Sequence, residues 1–307
     1  MTTLKVRNIP FDFSGEVPFL WNPEVPAFSL TANAIGVIAI AFEKYIVQVI
    51  KQAKAQITDP AVAAEADAFL RQEAQHARVH RLHMKALARR YPGLKDTVDR
   101  AVALFDELLA ERSLKYHLAY IADLEASFTP TFKLMLDNEE QLFRPGDERV
   151  ASMFLWHFVE EVEHRSSALL IYRGLGGGEV YRFAVLPSVV RHMGRVLEVI
   201  AEGFNAHVPV EDREVDARLL LPGFRVRRSL RALLPSRRGE GDEAPLPDGL
   251  GAVPSKDRRA ASWRILLSQV PNHDPEHQPL PAFAAEWLER HARGEDVLRW
   301  YSSRRAG

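Results

Sequence analysis

The feature that most limits how this chain can fold is a repeated pair of acidic and imidazole side chains at helical spacing. Glu73 and His76 form one Glu-x-x-His pair, and Glu161 and His164 form a second. Because residues three apart lie on the same face of an α-helix, each pair can direct both side chains at one point. The chain is therefore expected to be helical around both pairs.

A lone glutamate precedes each pair, inside a stretch that is otherwise largely apolar. Glu43 follows the run Ile-Gly-Val-Ile-Ala-Ile-Ala-Phe, and Glu125 lies within Tyr-Ile-Ala-Asp-Leu-Glu-Ala-Ser-Phe. A bare carboxylate is costly to bury, so glutamates that meet in one core need cations. Two lone glutamates and two Glu-x-x-His pairs on facing helices are the ligand set of ferritin-like di-iron and di-manganese proteins. We therefore predict an all-α fold, a ferritin-like four-helix bundle with additional C-terminal helices.

Composition excludes several other kinds of site and partner. With 47% hydrophobic and 26% charged residues the chain is typical of a globular protein, and its net charge of −1 gives no basis for nucleic-acid binding. It has no cysteine, which excludes disulfides, thiolate zinc sites and iron–sulfur clusters. The N-terminus lacks a secretion signal, and the apolar stretch from Ala32 to Ile50 is interrupted by Glu43 and Lys44. We expect a cytoplasmic protein with no membrane span and no nucleic-acid partner.

Changes in composition divide the chain into three parts. Residues 1–30 carry several prolines and aromatic residues and are predicted to be an extended lead-in. The di-metal bundle is predicted over residues 31–178. A C-terminal helical extension is predicted over residues 179–307, with a flexible loop at about 235–260 that is rich in glycine, proline and charge.

Capping and breaking residues place the individual helices. Asp59 is a good N-cap before Pro60, and the glycines between Gly174 and Gly178 are a strong helix stop. Pro130 is expected to kink the third predicted helix or to end it early. A break within this helix is also a candidate. The predicted spans in the bundle are about 31–57, 60–91, 94–140 and 147–174, and those in the extension are about 180–205, 215–234 and 281–301.

The fourth predicted helix carries more than its Glu-x-x-His pair. His157, Glu161 and His164 fall within about 60° of one another at 3.6 residues per turn. Glu160 flanks this face, whereas Glu163 points away and is expected to face solvent or to be paired. Carboxylates can bridge two cations, and neutral imidazoles suit iron or manganese, so this face offers the donors that a two-metal site needs.

A basic cluster lies in the C-terminal extension, ahead of the acidic Glu240, Asp242 and Glu243. Its members are Arg225, Arg227, Arg228, Arg231, Arg237 and Arg238. Such a pattern is typical of a solvated helix face balanced by nearby acids, which is the interpretation we favour. A site for an anionic substrate or a lipid headgroup is the alternative.

Three segments resemble a known bacterial family. They are Asn33-Ala34 with Phe42-Glu43, then Phe69-Leu-Arg-Gln-Glu-Ala-Gln-His-Ala-Arg-Val-His80, and Leu155-Trp-His-Phe-Val-Glu-Glu-Val-Glu-His164 running on to Tyr172. These segments resemble the family catalogued as predicted metal-dependent hydrolases, strongly over about residues 25–178 and weakly on to His273-Asp274-Pro275. The chain departs from that family between Ile35 and Ala41, where members usually carry Pro-x-Gly.

A second resemblance concerns the ligand pattern alone. His157-x-x-x-Glu161-x-x-His164 is similar to the fourth helix of the p-aminobenzoate N-oxygenase group of di-iron enzymes, in which an extra histidine joins six ligands. That resemblance implies the metal ligands Glu43, Glu73, His76, Glu125, His157, Glu161 and His164. The alternative for His157 is a hydrogen bond to a ligating carboxylate. His80 and Glu160 are expected to support ligands from behind, and His83 and His117 to be surface or structural residues.

These resemblances imply three competing functions. The first is a non-haem di-iron oxidase or oxygenase that uses dioxygen on a small apolar or aromatic substrate, with an electron-donor protein as a candidate partner. The second is a di-metal hydrolase that uses metal-bound hydroxide. The third is a non-catalytic metal-binding bundle. The expected cofactor is two iron ions, with manganese or zinc as alternatives, and a homodimer is a candidate assembly.

Aromatic residues near the expected ligands can line a substrate pocket, although residues of this kind are more often part of the core. They are Phe42, Phe69, Phe128, Trp156 and Phe158.

Overall fold

The computed structural model describes residues 4–222 and 249–306, and within these ranges every regular element is a helix. The all-α prediction is confirmed, and the finer prediction of a ferritin-like arrangement stays a prediction. The helices are α1 Pro26–Lys54, α2 Pro60–Arg90, α3 Leu94–Glu111, α4 Leu114–Leu136, α5 Glu139–Leu142, α6 Glu148–Glu163, α7 Ser167–Gly174, α8 Glu179–His207, α9 Val210–Arg213, α10 Ser255–Ser268, α11 Ala282–Ala292 and α12 Trp300–Ala306.

Four of these helices form the bundle that carries the predicted ligands. Helix α1 packs along α2 and α4 packs along α6, while α1 also meets α4 and α2 meets α6. The expected glutamates and histidines lie on these four helices, so one side of each helix faces a shared centre. The long α3 is an additional helix, because it packs on α1 and α8 and carries none of the predicted ligands.

Helix α1 is apolar on nearly every side, which is typical of a helix in the middle of a protein. It begins at Pro26, earlier than the predicted start near Thr31, because proline is well suited to the first helical position. It is long and apolar enough to cross a membrane by length and composition alone. However, 72% of its most apolar window is buried inside the protein, which indicates a core helix.

Helix α2 begins and ends where the sequence predicts. The side chain of Asp59 accepts hydrogen bonds from the backbone N–H groups of Ala61 and Val62, and Pro60 occupies the first helical position. The helix ends at Arg90, two residues before Pro92, which cannot continue a helical hydrogen-bond pattern. The result is a helix of 31 residues that carries Glu73 and His76 in its middle.

The third predicted helix is in fact two helices. The chain breaks after Glu111, and the Ser113 hydroxyl then caps α4 by accepting from the Tyr116 N–H. The early end that Pro130 threatened does not occur, because α4 continues for six further residues to Leu136. Burial of Phe132 and Met135 beyond the proline explains why the helix persists despite the lost hydrogen bond.

The fourth predicted helix is also divided. Helix α6, capped by Asp147, ends at Glu163 instead of running on to Gly174, and α7 begins only at Ser167. The side chain of Arg165 donates to the carbonyls of Val162 and Pro275, which satisfies an orphan acceptor at the end of α6. His164 therefore lies at the C-terminal cap of α6, where the chain turns.

The N-terminal lead-in is non-helical up to residue 25, and it packs firmly against the bundle. Trp21 is buried between the rings of Phe28, Phe143 and Phe154. Gly146 lies directly against the Trp21 indole ring. A Cβ at position 146 would come within 2.6 Å of that ring. Glycine is therefore required in the turn that leads into α6.

The C-terminal extension differs most from the sequence-based expectation. Among the described residues, the predicted helix at 215–234 is represented by a 3-10 turn at Ala217–Leu220, and residues 223–234, with the arginine cluster, lie outside the described part of the chain. The predicted loop at 235–260 is wrong in its last part, where α10 has already begun, and residues 235–248 are not described. The helix predicted over 281–301 is two helices, separated at Gly294 with φ +78°.

Candidate metal centre

All seven predicted ligand side chains lie together in the middle of the bundle. None of them is more than 4% exposed, although each carries an ionisable group. Helix α1 supplies Glu43, helix α2 supplies the first Glu-x-x-His pair, and helix α4 supplies Glu125. Helix α6 and its C-cap supply the remaining three, which are His157, Glu161 and His164.

One group of donor atoms forms around His157. Its Nε2 atom lies 3.2 Å from Glu43 Oε1 and 3.0 Å from Glu161 Oε1, and His76 Nδ1 lies 3.3 Å from the same Glu161 oxygen. One donor atom from each of these four residues lies within 4.8 Å of all the others. Atoms that bind one metal at about 2.0–2.2 Å are themselves separated by about 3–3.5 Å, so these distances suit a shared ion.

A second group forms around His164. Its Nε2 atom lies 3.3 Å from Glu73 Oε1, 3.5 Å from Glu161 Oε2 and 3.6 Å from Glu125 Oε2. Glu73, Glu161 and His164 meet the same 4.8 Å criterion, and Glu125 lies at the edge of the group. Glu161 thus presents one oxygen to each group, which is the arrangement of a carboxylate that bridges two ions.

Buried polar atoms that lack hydrogen-bond partners indicate whether cations fit the cluster. Glu43 Oε2, both oxygens of Glu73, Glu161 Oε2, His76 Nδ1 and His164 Nε2 are buried and have no hydrogen-bond partner among the described residues. Buried polar atoms without partners are rare, and each is costly. Four carboxylates and three imidazoles with atoms aimed at one centre fit two divalent ions, whose four positive charges would balance the four carboxylates.

Three of the four carboxylates of the bare cluster resist ionisation. Burial raises the pKa values of Glu43 and Glu73 well above the ordinary range, and the neighbouring carboxylates add to the shift. Burial and then Glu161 raise the pKa of Glu125 to about 7. A positive charge at the centre would reverse this effect, since it would favour the ionised form of every glutamate.

Two of the three imidazoles of the bare cluster, His76 and His164, respond in the complementary way and favour the protonated form. Burial opposes protonation of His76, but its hydrogen bond with Glu160 and the nearby carboxylates of Glu161 and Glu73 outweigh it and raise its pKa to about 9. Burial likewise disfavours ionised Glu161, yet His164 and His157 lower the pKa of that carboxyl well below its usual value. Protons and metal ions therefore compete for the same buried atoms.

Two residues support His76 from the side opposite the cluster. The Nε2 atom of His76 donates to Glu160 Oε2 over 2.9 Å, and Glu160 Oε1 accepts from Arg7 Nη1 over 2.9 Å. Arg7 also donates to both oxygens of Glu163, which is paired instead of facing solvent. The sequence indicated that Glu160 lies beside the ligands. It did not indicate the role of Arg7, which lies 153 residues from Glu160 in the sequence.

Gln72 supports His164 in the same manner. Its Oε1 atom accepts from His164 Nδ1 over 3.2 Å, and its Nε2 atom donates to Glu163 Oε2 and to the carbonyl of Lys5. Sequence reasoning passed over this residue because a glutamine beside Glu73 carries no distinctive signal. The contacts fix the His164 ring so that Nε2 points to the carboxylates.

His80 contacts a predicted ligand and not the cluster itself. Its Nε2 atom is 2.8 Å from His157 Nδ1, in hydrogen-bond contact. Gly36 gives it room, because a Cβ at that position would lie 3.2 Å from His80 Nδ1. This placement agrees with the expected role behind the ligands.

The other two histidines singled out by the sequence are not surface residues. His83 is fully buried, with its ring against Phe13 and Phe154. His117 is 2% exposed, and its Nδ1 atom hydrogen-bonds the Tyr45 hydroxyl over 2.8 Å. Their positions fit the prediction that they are structural residues, and the alternative that they lie on the surface is wrong.

A cavity of about 150 Å³ adjoins the cluster between α1 and α4. Of the five aromatic residues considered for a pocket, Phe42 and Phe128 line it, whereas Phe69, Trp156 and Phe158 are core residues outside its wall. The full lining is Ile35, Ile38, Ala39, Phe42, Glu43, Glu73, Glu125, Ser127, Phe128, Thr131, Phe132, His157 and Glu161.

Comparison with known proteins agrees with the metal-binding interpretation. Residues 5–235 match the family described as "predicted metal-dependent hydrolase". No curated protein and no solved structure matches the chain. The family description names hydrolysis, so it is in line with the hydrolase alternative and does not support di-iron oxidation, and it leaves the metal undetermined. Because the match spans most of its 307 residues, the chain belongs to the predicted metal-dependent hydrolase family.

Proposed function

We propose that this protein is a hydrolase that uses two divalent metal ions to cleave an ester or amide bond in a small, largely apolar substrate. The observation that carries the proposal is the position of Glu161, whose two oxygens face two separate groups of buried donors. The family match supports hydrolysis as the type of reaction.

The donor groups divide between the two ions in a consistent way. One ion would be held by Glu43, His76 and His157, and the other by Glu125 and His164. The two remaining carboxylates lie between the groups and would bridge the ions: Glu161 reaches both, and Glu73 Oε1 lies 3.3 Å from His164 Nε2 and 4.0 Å from His76 Nδ1.

Two bound divalent ions would supply hydroxide from water near neutral pH and would polarise the carbonyl of the substrate. The chain's own part is to orient each imidazole so that one ring nitrogen faces the cluster. His76 donates its Nε2 proton to Glu160, which leaves Nδ1 free for an ion. His164 donates its Nδ1 proton to Gln72, which leaves Nε2 free. Such contacts behind a ligand fix its tautomer and its direction.

The cavity limits the substrate. About 150 Å³ is the size of a cavity that holds benzene, so a small acyl or aryl group fits beside the cluster. Its wall is apolar apart from the cluster and the hydroxyls of Ser127 and Thr131, and none of the described residues that line it is a lysine or arginine. A phosphate ester would lack a cationic partner there, which favours an ester or amide.

A second candidate is oxidation of a small organic substrate by a di-iron centre, as the sequence suggested. The observation in its favour is that the two hydroxyls of the wall donate to backbone carbonyls of their own helix, Ser127 to Leu124 and Thr131 to Ser127. The wall thus offers few groups to orient a polar bond, and an apolar substrate fits it better. The comparisons do not support this candidate, or the electron-donor partner and homodimer that were expected with it.

One experiment separates the candidates. Chelator-treated protein is reloaded without oxygen with zinc, manganese or ferrous iron, and each form is assayed on aryl esters and anilides with small acyl groups. We expect metal-dependent hydrolysis that Glu161→Gln abolishes and Glu140→Gln, a change of a half-exposed side chain on α5, leaves intact. Oxygen consumption by the ferrous form without hydrolysis would instead select the oxidase. Neither reaction, with many iron atoms bound per chain, would indicate storage.

A further inference from the structure

Helix α10 carries a stripe of exposed apolar side chains. Trp263 is 62% exposed, Leu266 61%, Leu267 43% and Val270 42%. The first three residues follow helical spacing and project from one face of the helix, and Val270 lies two residues beyond the helix end at Ser268. Large exposed apolar side chains that are contiguous in this way mark an interaction surface.

The opposite side of the helix is firmly attached to the bundle. Helix α10 packs on α4, with Ala261 and Ser268 buried between them. Just after the helix, Gln269 Nε2 donates to the Asp123 carbonyl over 3.1 Å. These contacts fix the rotation of α10, so the apolar stripe faces outward.

The same face is basic at its N-terminal end. Lys256 and Arg259 precede Trp263 by seven and four residues and lie within about 60° of it around the helix. Both are exposed, as is Arg264 beside the stripe, and none of the three forms an ion pair among the described residues. No acidic residue lies on the stripe itself. The face is thus locally cationic in a chain whose net charge is −1.

The start of α8 carries two further exposed apolar side chains. Arg182 reaches across to the carbonyls of Gln269 and Val270, over 3.4 and 3.2 Å, which places the first turns of α8 beside the end of α10. On either side of Arg182, Val180 is 82% exposed and Phe183 is 54% exposed.

We propose that this face, made of Lys256, Arg259, Trp263, Leu266 and Leu267 with Val270 just beyond the helix, docks on an anionic lipid bilayer. Tryptophan and leucine enter the boundary between headgroups and acyl chains, and lysine and arginine pair with anionic headgroups. A second copy of the chain is a poorer occupant, because the stripe offers no carboxylate to the cations of a partner.

The inference goes beyond the proposed hydrolysis and does not need it. A structural link between the two nevertheless exists in α4, which packs against α10 on one side and lines the cavity with Ser127, Phe128 and Thr131. Docking would hold the cavity close to the lipid bilayer, in which apolar substrates dissolve.

The test is flotation of the metal-loaded full chain with vesicles of phosphatidylcholine, alone or mixed with phosphatidylserine. We expect binding only to the mixed vesicles, and release by added salt. Lys256→Gln and Arg259→Gln should each weaken binding about fivefold, and Trp263→Ala with Leu266→Ala should abolish it. Lys85→Gln and Val210→Ala, exposed residues on other helices, are the matched controls and should bind as the parent does.

Three results would overturn the proposal. The first is absence of parent binding to the mixed vesicles. The second is equal binding to both vesicle types, unaffected by the charge variants. The third is a stable dimer in sedimentation that Trp263→Ala with Leu266→Ala converts to monomer, which would make this face an interface between copies. Circular dichroism checks the fold of each variant, and Leu267→Ala replaces the double variant if that one is misfolded. Because no assay here measures hydrolysis, the outcome is independent of the proposed reaction.

Discussion

Arg7 and Glu160 form a buried ion pair, 2.9 Å long, that joins the N-terminal segment to the back of the metal-binding cluster. Glu160 in turn accepts from His76, so the position of one predicted ligand depends on a residue far from it in sequence. Arg7 also neutralises Glu163, which holds the amide of Gln72 behind His164. One arginine therefore supports a histidine from each of the two donor groups.

Replacement of Arg7 tests this support. Arg7→Met would leave Glu160 buried without its cation, and removal of one partner of a buried pair costs about 3–5 kcal/mol of stability. We expect metal affinity to fall by about 10–100-fold as well, because His76 loses its fixed orientation. Equilibrium dialysis against a metal buffer and chemical denaturation measure the two effects. Arg100→Gln, which breaks an exposed pair with Glu202, is the control and should change neither quantity.

Loss of Glu125 should affect one ion more than the other. The carboxylate contacts the group around His164 and not the group around His157, so Glu125→Ala should reduce the metal content from two ions per chain toward one. Elemental analysis of the purified variant measures this directly. An unchanged content of two would mean that α4 contributes no ligand. Glu163→Gln, by contrast, should retain both ions with reduced affinity, since Glu163 acts only through Arg7 and Gln72.

The metal-free protein should lose stability as the pH rises above neutrality. The pKa of Glu125 in the folded chain is about 7, above the ordinary value of 4.5, so the fold retains a proton there that the unfolded chain releases. The pKa of His76, raised from 6.5 to about 9, acts in the same direction. Stability from both groups is present at lower pH and is lost as the pH passes about 7 and then about 9.

Two other histidines have the opposite effect on stability, and only at acidic pH. The pKa values of His83 and His157 are lowered by burial to about 4, so they destabilise the fold as the pH falls below 6.5. The melting temperature of chelator-treated protein should therefore fall between pH 6.5 and about pH 8.5. Loading with metal should remove that fall, because ions replace the protons. A melting temperature that rises over this interval in the metal-free protein would contradict the account.

The cavity can be partly filled without touching the cluster. Ala39 lines it and is 5% exposed, and Ala39→Leu would extend a larger side chain into the space. We expect kcat/KM for esters with bulkier acyl groups to fall about tenfold or more, with acetyl esters less affected and metal content unchanged. Ala285→Leu, at an exposed position of α11, is the matched control. Equal losses for all acyl groups would place the substrate elsewhere.

The sequence predicted the parts of the fold that depend on local signals. The Asp59 cap, the proline after it and the stop near Tyr91 define α2 because capping and proline act over a few residues. Six side chains of the cluster also follow from spacing and context, since buried carboxylates need a common centre, and the resemblance to the N-oxygenase group adds His157. Their role as metal ligands stays a prediction that the geometry supports.

The remaining features depend on contacts between distant segments. Nothing local indicates that Arg7 reaches Glu160, or that Arg165 reaches the carbonyl of Pro275 at the turn after His164. A break in the third predicted helix was a candidate, but its position at Ser113 was not predicted, and the break at Gly294 was missed, because the helical periodicity on each side hides a short interruption. Sequence reasoning therefore identified the donors better than the groups that hold them in place.

The most direct test of the central claim is anomalous diffraction from crystals of the metal-loaded protein. We predict two anomalous peaks on either side of the Glu161 carboxylate, one beside His76 and His157 and the other beside His164. A single peak away from Glu161, or no peak among these side chains, would contradict a two-metal centre in this bundle.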